Sequence, residues 1–290
     1  MQSRETSKDR ALSFDAALFD LDGVVTRTAS LHAAAWKQLF DDYLKKRAAR
    51  GGPPFKEFDA EQDYKLYVDG KPRGKGIASF LQSRGIELPE GDPGDGPDRE
   101  TIYSLGDIKN ANFNRMLREQ GAEVFESTVS LIREMKAAGI KVGIVSSSKN
   151  CKPILERAGL LDLFEIRVDG VNSIAMKLNG KPEPDIFLKG AELLGVGRSK
   201  TVVVEDAVSG VAAGRAGGFG LVLGIDRGGN RINLLENGAD MVVDDLQFIS
   251  LDQINAHFAN REHVRPAAPG RLREVQNFLE RLVRFIRSRR

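Results

Sequence analysis

The sequence predicts an α/β protein with a Rossmann-like parallel sheet core and an inserted helical cap domain. Three observations predict it. Short apolar runs alternate with helical segments through the second half of the chain, a pattern typical of a parallel sheet covered on both faces. One further apolar run, "AALF" at 16–19, lies near the start. Between that run and residue 118, the apolar spacing is helical.

The core strands are expected at the apolar runs, each of which is bounded by turn residues. The first is 16–19, and the later ones are 140–146, 164–170, 200–206, 219–225 and 239–245. Helices are predicted between them at 127–139, 183–195 and 207–218. The core domain is therefore predicted at 14–28 and 119–260.

The segment 29–118 is predicted to form the cap. Residues 30–50 carry apolar side chains at helical spacing, and "GKGIASFLQSRGI" and "NANFNRMLREQG" are expected to be helical as well. Residues 89–98, "PEGDPGDGPD", have the composition of a loop without regular structure.

The C-terminal region 263–290 is predicted to be a linker followed by a basic amphipathic helix. Seven arginines and two glutamates accompany an apolar stripe in "RLREVQNFLERLVRFIRSRR". One interpretation is docking on the core or on a partner subunit, as in a homo-oligomer or a fused architecture. The alternative is contact with a membrane surface or an acidic partner.

Whole-chain properties narrow the class of protein. The 290 residues carry a net charge of +2, so no basic field indicates a nucleic-acid partner. One cysteine, Cys151, excludes an internal disulfide framework. The polar start of the chain and the absence of a long apolar run predict a soluble cytoplasmic protein without a signal peptide or transmembrane segment.

Polar residues follow four of the predicted elements at one edge of the sheet. Asp20 and Asp22 follow the first strand, Ser146 ends the second, and Lys181 precedes a proline that starts a helix; Glu205 and Asp206 end the strand at 200–206. Carboxyl ends of parallel strands share one edge, so these groups are expected to converge. Each motif alone also has an ordinary interpretation: a turn or calcium loop, a loop, a helix start or an N-terminal helix cap.

These residue types suit phosphoryl transfer. Asp20 is an ionised carboxylate that can attack phosphorus, and Asp22 can serve as the acid and base for the sugar oxygen. Mg²⁺ held by Asp20 and Asp206, with Glu205 as a further candidate, would screen the repulsion between carboxylate and phosphate. Lys181 adds positive charge, and Ser146 with neighbouring N–H groups can hold phosphate oxygens.

The chain resembles the haloacid dehalogenase (HAD) superfamily, whose four motifs correspond to "DLDGVVT", Ser146, Lys181 and Glu205-Asp206. Within it, the β-phosphoglucomutase-like family is the most similar group. The resemblance implies the HAD fold, an aspartyl-phosphate on Asp20, acid/base chemistry by Asp22, and Mg²⁺ bound by Asp20, the Asp22 backbone carbonyl, Glu205 and Asp206.

The same resemblance implies a set of substrate-binding residues. Arg73, in the loop 69–76 that includes Gly70, is the implied distal-phosphate ligand. "KNANF" at 109–113 resembles the second linker between cap and core, and His32 is implied to sense closure together with Lys109. The full set is Thr28, His32, Trp36, Gly70, Arg73, Lys109, Asn110, Ser147, Ser148, Lys149 and Asn150.

The resemblance implies a phosphorylated sugar as substrate and leaves three functions to distinguish. A mutase would interconvert β-glucose 1-phosphate and glucose 6-phosphate, and a second phosphate site of Arg73, Ser148 and Lys149 favours it. A sugar-phosphate phosphatase is the alternative, and a non-catalytic interaction module is the third. Arg27 departs from the family, which carries an acidic residue before the threonine, and could alter closure or substrate choice.

Overall fold

In a computed structural model, which describes residues 12–263, a six-stranded parallel sheet forms the centre of the protein. Its strands lie in the order β3-β2-β1-β4-β5-β6. They are β1 (Ala16–Phe19), β2 (Lys141–Val145), β3 (Ile166–Val168), β4 (Thr201–Glu205), β5 (Leu221–Ile225) and β6 (Met241–Val243). This sheet confirms the predicted α/β class, and each strand lies inside the apolar run that predicts it.

Ten α-helices accompany the sheet within residues 12–263. They are α1 (Ala29–Ala49), α2 (Arg73–Ser83), α3 (Ile102–Gln120), α4 (Glu126–Ala137), α5 (Cys151–Arg157), α6 (Gly170–Ala175), α7 (Asp185–Leu194), α8 (Val208–Gly217), α9 (Arg231–Glu236) and α10 (Leu251–His263). A π-helical turn, Tyr64–Val68, lies between α1 and α2. Residues 89–98 contain no helix or strand, as predicted.

The central strands are buried along their whole length because helices cover both faces of the sheet. Every residue of β1 and β4 is buried, which explains the apolar sequence of β1 and the three consecutive valines of β4. Two hydrophobic clusters, one containing Phe19 and Val204 and the other Leu18 and Val203, form the core. Neighbouring residues of a strand point to opposite faces, so each central strand contributes to both clusters.

A third hydrophobic cluster lies among α1, α2, α3 and the π-helical turn. Aromatic side chains dominate it: Phe40 packs against Trp36, Phe58 and Phe80 at ring-centroid distances of 5.3, 5.1 and 4.1 Å. Because this cluster is separate from the two that cover the sheet, we propose that residues 29–118 and the end of α3 form a cap domain. Two connections join it to the core, one before α1 and one after α3, and they pair through Thr26 and Val124.

The interpretation of 109–113 as a linker is wrong, because these residues lie in the middle of α3. Phe113 and Leu117 are buried four residues apart on one face of this helix, which agrees with the helical spacing predicted for "NANFNRMLREQG". The helix ends at Gln120, two residues after the predicted end of the cap at 118. Gly121, with φ of +80°, follows its last residue, and the connection to the core comes after that glycine.

Two predictions concern the remainder of the chain. Among the described residues, no helix has the length and apolar character needed to cross a membrane. The predicted basic helix lies in 264–290, outside the described residues. Within the described part, α10 was not predicted, and it packs Phe258 against Phe14 at a ring distance of 5.2 Å.

Candidate active site

The four predicted motifs meet at the carboxyl edge of the sheet. Asp20 directly follows β1, and Ser146 directly follows β2. Glu205 is the last residue of β4, which pairs with β1. Together with Lys181 they line or support a cavity of about 620 Å³ between sheet and cap.

All but three of the seventeen predicted site residues line this cavity. The three exceptions are Thr28, Asn110 and Glu205, and each contacts a residue that does line it. The lining residues from the prediction are Asp20, Asp22, His32, Trp36, Gly70, Arg73, Lys109, Ser146, Ser147, Ser148, Lys149, Asn150, Lys181 and Asp206.

A cluster of three carboxylates occupies the floor of the cavity. Asp20, Glu205 and Asp206 each offer an oxygen within 4.8 Å of the others. Lys181, which is fully buried, donates to both Asp20 and Glu205. Three carboxylates beside one ammonium leave an excess of negative charge, and oxygen ligands of this kind fit a hard divalent cation.

The electrostatics of this cluster follow from its burial. Burial raises the pKa of Asp20 well above its ordinary value, and the opposing charge of Lys181 does not cancel the rise. Burial likewise raises the pKa of Asp206, with the charges of Asp69 and Glu205 adding to it. Burial alone would lower the pKa of Lys181, but Asp20 and Glu205 outweigh burial and raise it, so Lys181 is cationic.

Two glycines allow the carboxylates to approach. A Cβ on Gly23, whose φ is +89°, would lie 1.9 Å from an oxygen of Asp206. A Cβ on Gly210 would lie 1.9 Å from an oxygen of Glu205. The other Glu205 oxygen accepts from the N–H groups of Asp206 and Ala207, both at 3.0 Å. These contacts hold the cluster in one arrangement.

Asp22 is held by residues on either side of the boundary between the first connection and the cap. Thr28 donates to its Oδ1, and His32 Nε2 lies 3.3 Å from the same oxygen. His32 Nδ1 lies 2.5 Å from Nζ of Lys109. In a neutral imidazole with its proton on Nε2, Nδ1 can accept from the ammonium of Lys109, while the Nε2–H approaches Asp22 without completing a hydrogen bond.

The charges of these groups depend on one another. Burial alone would raise the pKa of Asp22, but His32, Thr28 and Lys109 outweigh it and lower the pKa. Burial and the charge of Lys109 lower the pKa of His32, which supports the neutral form. Burial and the nearby Arg73 lower the pKa of Lys109 to about 7. Asp22 is therefore ionised and ready to accept a proton.

Arg73 lies at the start of α2 and contacts α3. Its guanidinium donates to the Gly106 carbonyl and to Asn110 Oδ1, both at 3.0 Å. Asn150 of the core donates to the same Asn110 oxygen at 2.9 Å. Asn110 thus joins a cap arginine to a core loop.

The serine-rich loop after β2 presents a second group of polar atoms to the cavity. Ser146 Oγ accepts from the N–H of Ser148 at 3.1 Å, and Ser148 Oγ accepts from the N–H of Asn150 at 3.1 Å. Ser147 Oγ points to the cap and donates to the Gly70 carbonyl at 2.8 Å. Lys149 is exposed and lines the cavity.

Sequence reasoning missed three polar residues at this site. Asp69 lies in the cap, and its carboxylate is among the charges that raise the pKa of Asp206. Tyr64 lines the cavity and hydrogen-bonds to Asp69. Ser209, near the start of α8, donates to the Asp69 carbonyl at 3.0 Å. None of these three residues was singled out at a strand end. Asp69 lies beside Gly70 in the predicted cap loop 69–76, and this position was the one sequence signal for it.

Comparison with known proteins agrees with this geometry. A family model of haloacid dehalogenase-like hydrolases matches residues 14–218. A β-phosphoglucomutase from Mycobacterium bovis is 50% identical over 234 residues, which cover 80% of this chain and 89% of that protein. A β-phosphoglucomutase from Bacillus subtilis is 28% identical over 88% of this chain and 99% of its own length. The crystal structure of β-phosphoglucomutase from Clostridium difficile superposes with a TM-score of 0.67 at 26% identity, covering 87% of this chain and all of that one.

Proposed function

The chain belongs to the haloacid dehalogenase-like hydrolase family, and we propose that it is a β-phosphoglucomutase, which interconverts β-glucose 1-phosphate and glucose 6-phosphate through an aspartyl-phosphate. The observation that carries the proposal is the way Asp22 is held. Its partner Thr28 lies in the connection just before the cap, while His32 lies in α1 and Lys109 lies in α3. The acid/base group is therefore assembled by the same closure that covers the cavity.

In the first half-reaction, a carboxylate oxygen of Asp20 forms a bond to phosphorus while the bond from phosphorus to the sugar oxygen breaks. Asp22, which holds a proton after it has served as a base, supplies the proton that the departing oxygen of the sugar monophosphate takes. Lys181, held between Asp20 and Glu205, places positive charge beside the attacking carboxylate. Ser146 and the N–H groups of its loop are the proposed donors to the phosphate oxygens.

In the second half-reaction, a free hydroxyl of a bound sugar monophosphate takes the phosphoryl group from Asp20, so that a sugar bisphosphate forms. Asp22, which its lowered pKa keeps ionised, accepts the proton of that hydroxyl. The intermediate is a sugar bisphosphate that must reorient, so each phosphate needs a site in turn. Arg73, Ser148 and Lys149 line the cavity and are proposed to hold the phosphate that is not being transferred.

Mg²⁺ is the proposed cofactor, because the buried oxygens of Asp20, Glu205 and Asp206 fit a hard divalent cation. The Asp22 backbone carbonyl is the proposed fourth protein ligand. When bound, the ion would neutralise charge on the transferring phosphoryl group.

Exclusion of water separates a mutase from a phosphatase. In a phosphatase, water attacks the aspartyl-phosphate, whereas a mutase must present a hydroxyl of the sugar. Identity of 50% to a β-phosphoglucomutase over most of the chain supports the mutase, and the phosphatase and the non-catalytic module are less supported.

The test is incubation with β-glucose 1-phosphate, Mg²⁺ and a catalytic amount of β-glucose 1,6-bisphosphate, with glucose 6-phosphate and free phosphate counted separately. The proposal predicts that glucose 6-phosphate greatly exceeds free phosphate and that Asp20→Ala forms neither. Free phosphate as the main product would identify a phosphatase. Glucose 6-phosphate formation by Asp20→Ala would remove the nucleophile assignment.

A further inference from the structure

Two serines of the core form hydrogen bonds to the cap loop that leads into α2. Ser147, in the loop after β2, donates to the carbonyl of Gly70 at 2.8 Å. Ser209, near the start of α8, donates to the carbonyl of Asp69 at 3.0 Å. One serine lies in a loop and the other in a helix of the core, yet their acceptors are consecutive carbonyls of one cap segment.

The fit around Gly70 shows how closely the cap backbone approaches the core. Its φ is +67°, and a Cβ there would lie 2.3 Å from Ser209 Oγ and 3.0 Å from Ala207 Cβ. Any side chain at this position would push the cap loop away from the core. The glycine therefore allows the two hydroxyls to reach the loop.

The loop that contains Asp69 and Gly70 leads directly to a residue of the proposed substrate site. Arg73 follows Gly70 by three residues and is the first residue of α2. Its guanidinium donates hydrogen bonds to Gly106 and Asn110 of α3, which also belong to the cap. The placement of residues 69–70 against the core therefore determines where Arg73 stands relative to Asp20 across the cavity.

We propose that Ser147 and Ser209 are positioning residues that form a two-point clasp, holding the cap loop against the core while phosphoryl transfer proceeds. The inference deepens the proposed mutase function and rests on it. Ser147 then serves the cap and not the phosphate, in contrast to the substrate-binding role that the sequence implies. Loss of the clasp lets the cap open more often, and water then competes with the sugar for the aspartyl-phosphate.

The size of the effect follows from the usual contribution of a hydrogen bond. Removing one hydroxyl should weaken closure between about 2- and 10-fold. The double variant should weaken it between about 4- and 100-fold if the two contacts act independently. KM for the sugar phosphate and the ratio of free phosphate to glucose 6-phosphate should both rise within that range.

The experiment compares the wild type with Ser147→Ala, Ser209→Ala and the double variant. Ser199→Ala is the matched control, because Ser199 is exposed and lies before β4, at the opposite edge of the sheet. Three quantities are measured: the product ratio, the rate of phosphorylation by acetyl phosphate, and acrylamide quenching of Trp36. Trp36 is the chain's one tryptophan, is 5% exposed and lines the cavity, so cap opening should expose it.

The clasp predicts a higher product ratio and stronger quenching in the double variant. It also predicts an unchanged rate of phosphorylation by acetyl phosphate in Ser209→Ala, and wild-type behaviour in Ser199→Ala. A loss of phosphorylation by acetyl phosphate in Ser209→Ala as large as the rise in its product ratio would overturn the clasp, because the serine would then act on phosphoryl transfer itself. Unchanged ratio and quenching would also overturn it. Quenching is measured without substrate, so it decides the clasp even if the wild type forms no glucose 6-phosphate and the proposed function fails.

Discussion

Replacing Lys181 with methionine should strongly destabilise the metal-free protein. Lys181 is fully buried and its ammonium donates to Asp20 and Glu205, which are 6% and 0% exposed. The substitution keeps most of the side-chain volume but leaves these two carboxylates and Asp206 without a counter-charge. Removing one partner of a buried ion pair costs about 3–5 kcal/mol.

The measurement is the free energy of unfolding in denaturant, with a chelator present. For a protein of this size, the expected loss also lowers the melting temperature by about 6–20 °C. Saturating Mg²⁺ should recover part of the loss, because a bound cation restores positive charge among the carboxylates. Lys189→Met is the control: Lys189 pairs with exposed Glu192 at 2.6 Å, and a surface pair of this kind contributes at most about 1 kcal/mol. A loss from Lys181→Met no larger than that of the control would refute the electrostatic account of the cluster.

Three further predictions concern catalysis and pH. Asp22→Ala should lower the rate of glucose 6-phosphate formation by about 10²–10⁴-fold, because no other group holds the sugar's proton; a rate within a few-fold of wild type in steady-state kinetics would contradict that role. Arg73→Ala should lower kcat/KM for the sugar bisphosphate by about 10–150-fold, since a charge-assisted contact contributes about 1.5–3 kcal/mol; release of phosphate from a small aryl phosphate should change far less, and equal losses on both would exclude a distal-phosphate role. Burial and Glu205 raise the pKa of Asp69 from 3.8 to about 7, so the folded metal-free protein binds this proton more tightly than the unfolded chain and loses stability as pH rises from about 4 to about 7. The loss is at most about 4 kcal/mol at 1.36 kcal/mol per pKa unit, and Asp69→Asn should reduce it in denaturant titrations at pH 4.5 and 7.5; an identical pH dependence in the two proteins would refute the shift.

The parts of the site that the sequence predicts correctly are those that the sheet topology dictates. Asp20, Ser146 and Glu205 each end or follow a buried strand, and parallel strands bring their carboxyl ends to one edge. Their convergence therefore requires only that the strands be recognised. Lys181 is not at a strand end, but it joins the same cluster because the chain enters α7 beside that edge.

The parts that escaped prediction depend on how the cap meets the core. Ser209 acts on a backbone carbonyl, and every residue carries such an acceptor, so the sequence has no signal for the contact. The charge of Asp69 reaches Asp206 only once the cap lies over the sheet. The resemblance implies a linker at 109–113, but these residues lie inside α3, where Phe113 and Leu117 form part of its buried face.

Arg27, the residue that departs from the family pattern, packs beside the two connections between cap and core. It is exposed, and its guanidinium lies 4.2 Å from the ring centroid of Phe125. Its backbone N–H donates to the Glu123 carbonyl at 2.8 Å, which joins the two connections between cap and core. The guanidinium of Arg27 therefore lies against the connections between cap and core, and Arg27 does not line the cavity.

The most direct test of the central claim is to locate the transferred phosphoryl group. Protein treated with β-glucose 1,6-bisphosphate labelled in its phosphates, then quenched in acid and digested, should carry label on the peptide that contains Asp20. The label should be absent from Asp20→Asn. Label on any other residue, or glucose 6-phosphate formation without a labelled protein, would contradict transfer through this carboxylate.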